Sequence, residues 1–185
     1  MPTVNEELLT VLGMTAAHAT LMEEYPWFLH IKPVRKFAEI KGRGLTPRSQ
    51  DCPTNKVVAA AIAEKVANVD EMIFLRPIGT HDSTPHRGER VFAMAIDKSA
   101  LPTTITVDWT FVGTLELAEI IKADTPALTN EAIFCEVVRR RGSVAIYEAI
   151  PAGVLRVWTK GQPFDDPSKW PKLVDTKFAD VEQFD

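Results

Sequence analysis

The stretch WFLHIKPVRKFAEIKGRGLTPR, residues 27–48, combines residue types that could bind a small ligand containing phosphate. Its two glycines, of which Gly44 is the second, permit a tight turn and a close approach of the backbone to a ligand. Arg43 and Arg48 supply fixed positive charge for phosphate. His30 ends the apolar run and, when neutral, can hydrogen-bond a ribose hydroxyl or a carboxamide. The alternative is a satisfied histidine at a strand end and an ordinary helix-to-loop connection.

Glu148, in the stretch SVAIYEAIPAGV, is a second residue that could do chemistry. If the stretch is a strand, alternation places Val144, Ile146 and Glu148 on the same face. An acid on an apolar face is costly to bury without a purpose, so we interpret Glu148 as a candidate catalytic carboxylate. The alternative is a structural role, in which Glu148 pairs with an arginine at the edge of a sheet.

The polar loop THDSTPHRGER holds three possible metal ligands, His81, Asp82 and His86. No second cluster in the sequence supplies the remaining ligands, so we predict no metal site and a polar loop instead. The cysteines Cys52 and Cys135 are far apart and lack zinc-like spacing, which indicates a reduced, intracellular pair.

The chain is long enough to bury a core without disulfides or metal, because it has 185 residues. We predict one domain of catalytic type over residues 1–160, including N-terminal helices, and a surface tail over residues 161–185. The net charge of −4 argues against a non-specific nucleic-acid binder but leaves a local basic groove possible. The sequence shows neither a signal-peptide pattern nor a long apolar run, so we expect a cytoplasmic protein with no membrane partner.

Hydrophobic periodicity and capping residues predict the elements that position these side chains. The predicted helices are residues 5–24, 32–44, 54–66, 114–124 and 129–142. The predicted strands are residues 27–31, 71–78, 90–97, 101–109, 143–150 and 151–159. Helices and strands do not alternate regularly, so the sequence predicts an α+β fold with mixed, largely antiparallel sheets and flanking helices rather than a doubly wound parallel sheet.

The order of these features resembles that of ADP-ribosyltransferase-fold enzymes that use NAD, including the DarT type, which modifies DNA. The features are a strand ending in histidine, a helix, GLTP, the middle strands IFLRPI and VFAMAID, and the late YEAIPAGVL; together they cover residues 27–158. The resemblance implies that NAD is the substrate, that His30, Gly44 and Arg48 bind it, and that Glu148 is the catalytic acid. His30 would contact the nicotinamide ribose or amide, and Arg48 would approach the diphosphate.

Glu131, in LTNEAIF, is a rival for the catalytic acid if that segment is a strand rather than a helix. The expected activity is transfer of one ADP-ribose from NAD to a macromolecule. Nucleic acid is favoured over protein as the acceptor, because basic residues cluster around the first stretch and at Arg139, Arg140 and Arg141. Two alternatives stay open: a non-catalytic nucleotide- or protein-binding module on the same fold, and an NAD glycohydrolase.

Overall fold

A computed structural model describes residue 21 and residues 23–49, 71–79, 89–102, 105–107 and 113–185. Its helices are α1 (Phe37–Arg43), α2 (Thr114–Asp124) and α3 (Asn130–Arg141). Its strands are β1 (Trp27–Pro33), β2 (Arg48–Ser49), β3 (Glu71–Pro77), β4 (Val91–Asp97), β5 (Thr106–Val107), β6 (Val144–Ile146) and β7 (Leu155–Val157). Short 3-10 turns are Val34–Lys36, Lys98–Ala100, Ala152–Val154, Pro167–Lys169, Leu173–Asp175 and Phe178–Asp180.

The chain divides into two compact units. The first consists of Met1–Glu24, Pro47–Phe74 and Pro102–Glu148, and the second of Tyr25–Thr46, Leu75–Leu101 and Ala149–Asp185. Strand β3 therefore begins in the first unit and ends in the second.

In the first unit, helix α3 carries the clearest local signals. The Oγ1 of Thr129 accepts a hydrogen bond from the backbone N–H of Ala132 at 3.2 Å, which caps the N-terminus. Gly142 ends the helix in the left-handed region with φ 77°, which glycine adopts without strain. The predicted helix is confirmed. Its buried residues are Ile133, Phe134, Cys135, Val137 and Val138.

The strands of the first unit are short and antiparallel. In β5 and β6, Thr106 lies opposite Ala145 and Val107 lies opposite Val144. Strand β2 pairs with the beginning of β3.

The second unit is built on a ladder in which all seven residues of β1 pair with β4, from Trp27↔Asp97 to Pro33↔Val91. Strand β7 pairs with the other edge of β4, and the end of β3 pairs with β1. One face of these strands packs with Trp170, and the other carries Phe92, whose ring lies 5.5 Å from that of Phe37 in α1. Burial of both faces holds the unit together.

Residues 161–185, which the sequence analysis interprets as a surface tail, contribute to the core of the second unit. Trp170, Leu173 and Val181 are fully buried, and the Nε1 of Trp170 donates to the carbonyl of Pro163 at 2.8 Å. Phe184 and Val91 exchange two backbone hydrogen bonds of 2.9 and 3.1 Å. The apolar residues of this segment follow neither a helical nor a strand period, so periodicity gave no sign of their burial.

The predicted α+β fold with antiparallel strands is confirmed: β1 pairs antiparallel with β3 and β4, β2 with β3, β4 with β7, and β5 with β6. The predicted helix at 54–66, most of the one at 5–24 and the loop at 80–88 lie outside the described residues. No helix in the described ranges has the length and apolar character that crossing a membrane requires.

Candidate functional site

His30 lies in the middle of β1, opposite Met94 of β4, and is 8% exposed. The ladder between β1 and β3 joins Phe28 to Pro77 and Leu29 to Arg76. His30 is therefore the first residue of β1 beyond that ladder. The structure shows a buried histidine within a strand, where the sequence analysis expected one at a strand end.

Gly44 follows the last residue of α1, and its conformation explains why glycine stands there. Its φ of 80° and ψ of −165° are unfavourable for residues with a side chain. A Cβ at this position would lie 2.1 Å from the carbonyl oxygen of Ile150 and 2.8 Å from the amide nitrogen of Ala152. The chain itself therefore requires glycine at this point, whether or not a ligand binds. The predicted contact of Gly44 with a cofactor stays a prediction.

The close approach at Gly44 brings two sequence motifs together within the second unit. Leu45, of GLTP, and Ile150, of AIPAG, exchange two backbone hydrogen bonds, each of 2.9 Å. Both side chains are buried. Two of the short motifs that contribute to the resemblance are thus hydrogen-bonded partners, although they lie far apart in the sequence.

Arg48 and Glu148 belong to the first unit, whereas His30 and Gly44 belong to the second. Arg48 lies in β2, where its backbone is paired opposite Met72 of β3. Its predicted role at a diphosphate stays a prediction.

Glu148 lies beyond the end of β6, in an exposed bend. Val144 and Ile146 are fully buried, but the strand ends at Ile146, so its alternation does not extend to Glu148. The expectation that Glu148 shares their buried face is therefore not met. Its exposure leaves the carboxylate accessible to a molecule from solution, and its catalytic role stays a prediction.

Tyr147, immediately before Glu148, is held by a hydrogen bond that the sequence analysis missed. Its phenol oxygen lies 3.0 Å from the Oγ1 of Thr106, which is fully buried in β5. The same Oγ1 lies 3.4 Å from the carbonyl oxygen of Ala145. The pair could be anticipated only once β5 and β6 were known to be neighbours in this register.

Glu131, the rival acid, lies in the first turn of α3. The rival assignment required that this segment be a strand, and the segment is a helix. A carboxylate in the first turn is a favourable partner for the positive end of the helix dipole, which accounts for its presence without catalysis.

Arg139 and Arg140, at the end of α3, have acidic partners. Arg139 donates from Nε to Glu24 at 2.9 Å and from Nη1 to Glu136 at 2.9 Å, and Arg140 donates to Glu136 at 2.9 Å. The hydrogen bond from Arg139 lowers the pKa of Glu24, and those from Arg140 and Arg139 lower the pKa of Glu136. These carboxylates offset part of the positive charge that was predicted to attract a polyanion.

The ranges that the structure describes contain no group of three or more histidine, cysteine, aspartate or glutamate side chains placed to hold a metal ion. His81, Asp82 and His86 lie outside those ranges. Cys135 is buried, and burial raises the pKa of its thiol to about 11, which disfavours the reactive thiolate.

Comparisons of the chain with protein-family models, with curated proteins and with solved structures found no match.

Proposed function

We propose that the chain binds NAD and transfers its ADP-ribose group to a macromolecular acceptor, on an ADP-ribosyltransferase-like fold. One observation carries the proposal: the GLTP and AIPAG segments are paired through Leu45 and Ile150 by reciprocal hydrogen bonds. This pairing lies in an antiparallel α+β arrangement that also contains the histidine-bearing β1, and the proposal rests on this combination of features.

The proposed reaction breaks the bond between nicotinamide and C1′ of the ribose. Nicotinamide leaves with the bonding electron pair, an acceptor nucleophile forms the new bond to C1′, and that nucleophile gives up its proton. Positive charge develops on the ribose as the bond breaks, and a carboxylate such as that of Glu148 would stabilise it. Arg48 would bind the diphosphate through paired hydrogen bonds, and His30 would bind the nicotinamide ribose or amide.

The acceptor is proposed as nucleic acid in the first instance and protein in the second. Basic residues near the first motif favour a polyanion, although Arg43 on α1 is paired with Glu39, which offsets its charge. The ion pairs of Arg139 and Arg140 work in the opposite direction, because Glu24 and Glu136 offset their charge.

A non-catalytic nucleotide-binding module is the second candidate, and the exposure of Glu148 favours it. A carboxylate surrounded by water stabilises a developing positive charge less than one in a dry site, because solvent screens the interaction. Hydrolysis of NAD to free ADP-ribose, with water as the acceptor, is a third outcome that uses the same residues.

The test is to incubate the purified full chain with NAD carrying a label on its adenine, in the presence of single-stranded DNA, RNA or a protein extract. Transfer of the label to a macromolecule is the expected result; free ADP-ribose would indicate a glycohydrolase. Glu148→Gln should reduce turnover about 10² to 10³-fold, as removal of one such electrostatic contact typically does. Glu119→Gln, at an exposed position on α2, is the matched control and should keep full activity. Binding of NAD without turnover would favour the binding module, and absence of binding would refute the proposal.

A further inference from the structure

Strand β6 ends two residues before Glu148. Strand β6 lies between β5 and β3 in the sheet, pairs with β5 at Val144 and Ala145, and ends at Ile146. Backbone hydrogen bonds of this ladder therefore no longer fix the direction of the chain at the two residues that follow. The backbone is hydrogen-bonded again at Ile150, to Leu45. A contact on the other side of Glu148 would help to hold its carboxylate at a defined position.

A relay of two hydroxyl groups supplies such a contact. The carbonyl of Ala145 can only accept, so the hydroxyl of Thr106 donates to it at 3.4 Å and accepts from the phenol of Tyr147 at 3.0 Å. Thr106 has no exposed surface, and Tyr147 is half-buried. A buried hydrogen bond is stronger and better defined in geometry than one that competes with water. The relay thus ties the residue before Glu148 to the neighbouring strand at the point where the ladder stops.

We infer that Thr106 and Tyr147 are positioning residues, which hold the Glu148 carboxylate in the orientation that the transfer reaction requires. The inference rests on the proposed function and extends it to two residues that make no contact with the reacting atoms. Because Glu148 is exposed, packing holds it only weakly, and the neighbouring anchor becomes correspondingly more important. A misplacement of about 1 Å in a catalytic group can reduce the rate about 10²-fold.

The decisive variants are Tyr147→Phe and Thr106→Val, since each removes one hydroxyl and nearly preserves the volume. We expect either change to lower kcat about 10-fold, toward the level of Glu148→Gln, while KM stays within about twofold, because an interaction made only in the transition state is lost. The double variant should lose no more than either single variant, since both remove the same hydrogen bond. Tyr25→Phe, at the other of the two tyrosines in the chain, is the control and should keep the wild-type kcat.

A spectroscopic measurement checks the hydrogen bond directly. Labelling with 3-fluorotyrosine should give two fluorine resonances, which Tyr25→Phe assigns. Thr106→Val should shift the resonance of Tyr147 and leave that of Tyr25 in place. Equal resonance positions in wild type and Thr106→Val would show that the hydrogen bond is absent in solution and would overturn the inference.

The outcomes separate this inference from the function on which it rests. If the wild-type chain releases no nicotinamide from NAD, the proposed function and the positioning role fail together. If the wild type is active and both hydroxyl-deleted variants keep its kcat, the positioning role alone is overturned. The positioning role is also overturned if the variants melt at lower temperature but keep the wild-type kcat when folded, because that result would indicate a purely structural hydrogen bond.

Discussion

Replacement of Gly44 by alanine tests the close approach between the GLTP and AIPAG segments. The new Cβ would lie 2.1 Å from the carbonyl oxygen of Ile150 and 3.0 Å from the carbonyl carbon of Pro151. Both atoms belong to the backbone, so no change of rotamer can relieve the overlap. Either the turn after α1 or the 150–152 segment must move.

The expected cost can be assembled from two contributions. An alanine held at φ 80° and ψ −165° adopts a strained conformation worth about 1–3 kcal/mol. Movement of the chain also disrupts the two hydrogen bonds between Leu45 and Ile150, each worth about 1 kcal/mol net. The sum is about 3–5 kcal/mol, a large share of the roughly 5–15 kcal/mol that stabilises a typical domain. At about 2–4 °C for each kcal/mol in a chain of this size, Gly44→Ala should lower Tm by about 10 °C.

The assay is thermal and urea unfolding followed by tryptophan fluorescence, without any ligand. Of the four tryptophans, Trp27, Trp158 and Trp170 lie in the second unit, so the signal reports mainly on the unit that contains the substitution. Gly42→Ala is the matched control. It lies within α1, and a Cβ there meets no atom within 4 Å, so alanine should raise stability by up to about 1 kcal/mol. Equal Tm values for Gly44→Ala and wild type would refute the close approach.

Three further predictions concern stability. Thr129→Ala should cost about 1 kcal/mol in urea unfolding because α3 loses its N-terminal cap, whereas Thr129→Ser should be nearly neutral; equal losses would contradict the cap. Arg139 lowers the pKa of Glu24 in the folded state, so their pair stabilises the fold above the ordinary pKa of 4.5, and this contribution is lost as pH falls through the lowered value. Arg139→Gln should therefore reduce the loss of stability as the pH falls below 4.5, and an unchanged pH profile would argue against the pair. Trp170→Ala should cost about 3–5 kcal/mol or unfold the second unit, measured by circular dichroism, whereas a surface tail would tolerate the change.

The elements with strong local signals were predictable from the sequence. Helix α3 was predicted because Thr129, an apolar stripe and Gly142 all indicate the same helix, and local and tertiary preferences agree there. The strands β1, β3 and β4 were predicted from apolar runs with turn residues at their ends. The antiparallel arrangement followed from the irregular order of helices and strands.

The position of Glu148 was not predictable, because the end of β6 depends on its partner. The apolar run in the sequence predicts a strand that continues past Ile146. In the structure β6 lies between β5 and β3, pairs with β5 only at Val144 and Ala145, and ends at Ile146. The contact between Thr106 and Tyr147 depends on the same register, which no local pattern specifies. The burial of Trp170 is likewise a tertiary effect, since the surrounding residues form 3-10 turns without a period.

The requirement for glycine at position 44 was predictable only in part. The pattern GRG indicated a turn, and a turn is present. The sequence suggested that the backbone at this glycine approaches a ligand, whereas in the structure it approaches Ile150 of the same chain. A glycine in a sequence indicates that the backbone position has little room for a side chain, but it does not identify the neighbouring group.

The most direct test of the central claim is the release of nicotinamide from NAD by the purified chain, measured by chromatography for wild type, Glu148→Gln and Glu119→Gln. We predict release by the wild type and by Glu119→Gln, and a reduction of about 10² to 10³-fold for Glu148→Gln, which should still bind NAD in isothermal titration. Release at the wild-type rate by Glu148→Gln would contradict the proposed catalytic role of this carboxylate. The absence of both NAD binding and nicotinamide release in the wild type would contradict the proposed function as a whole.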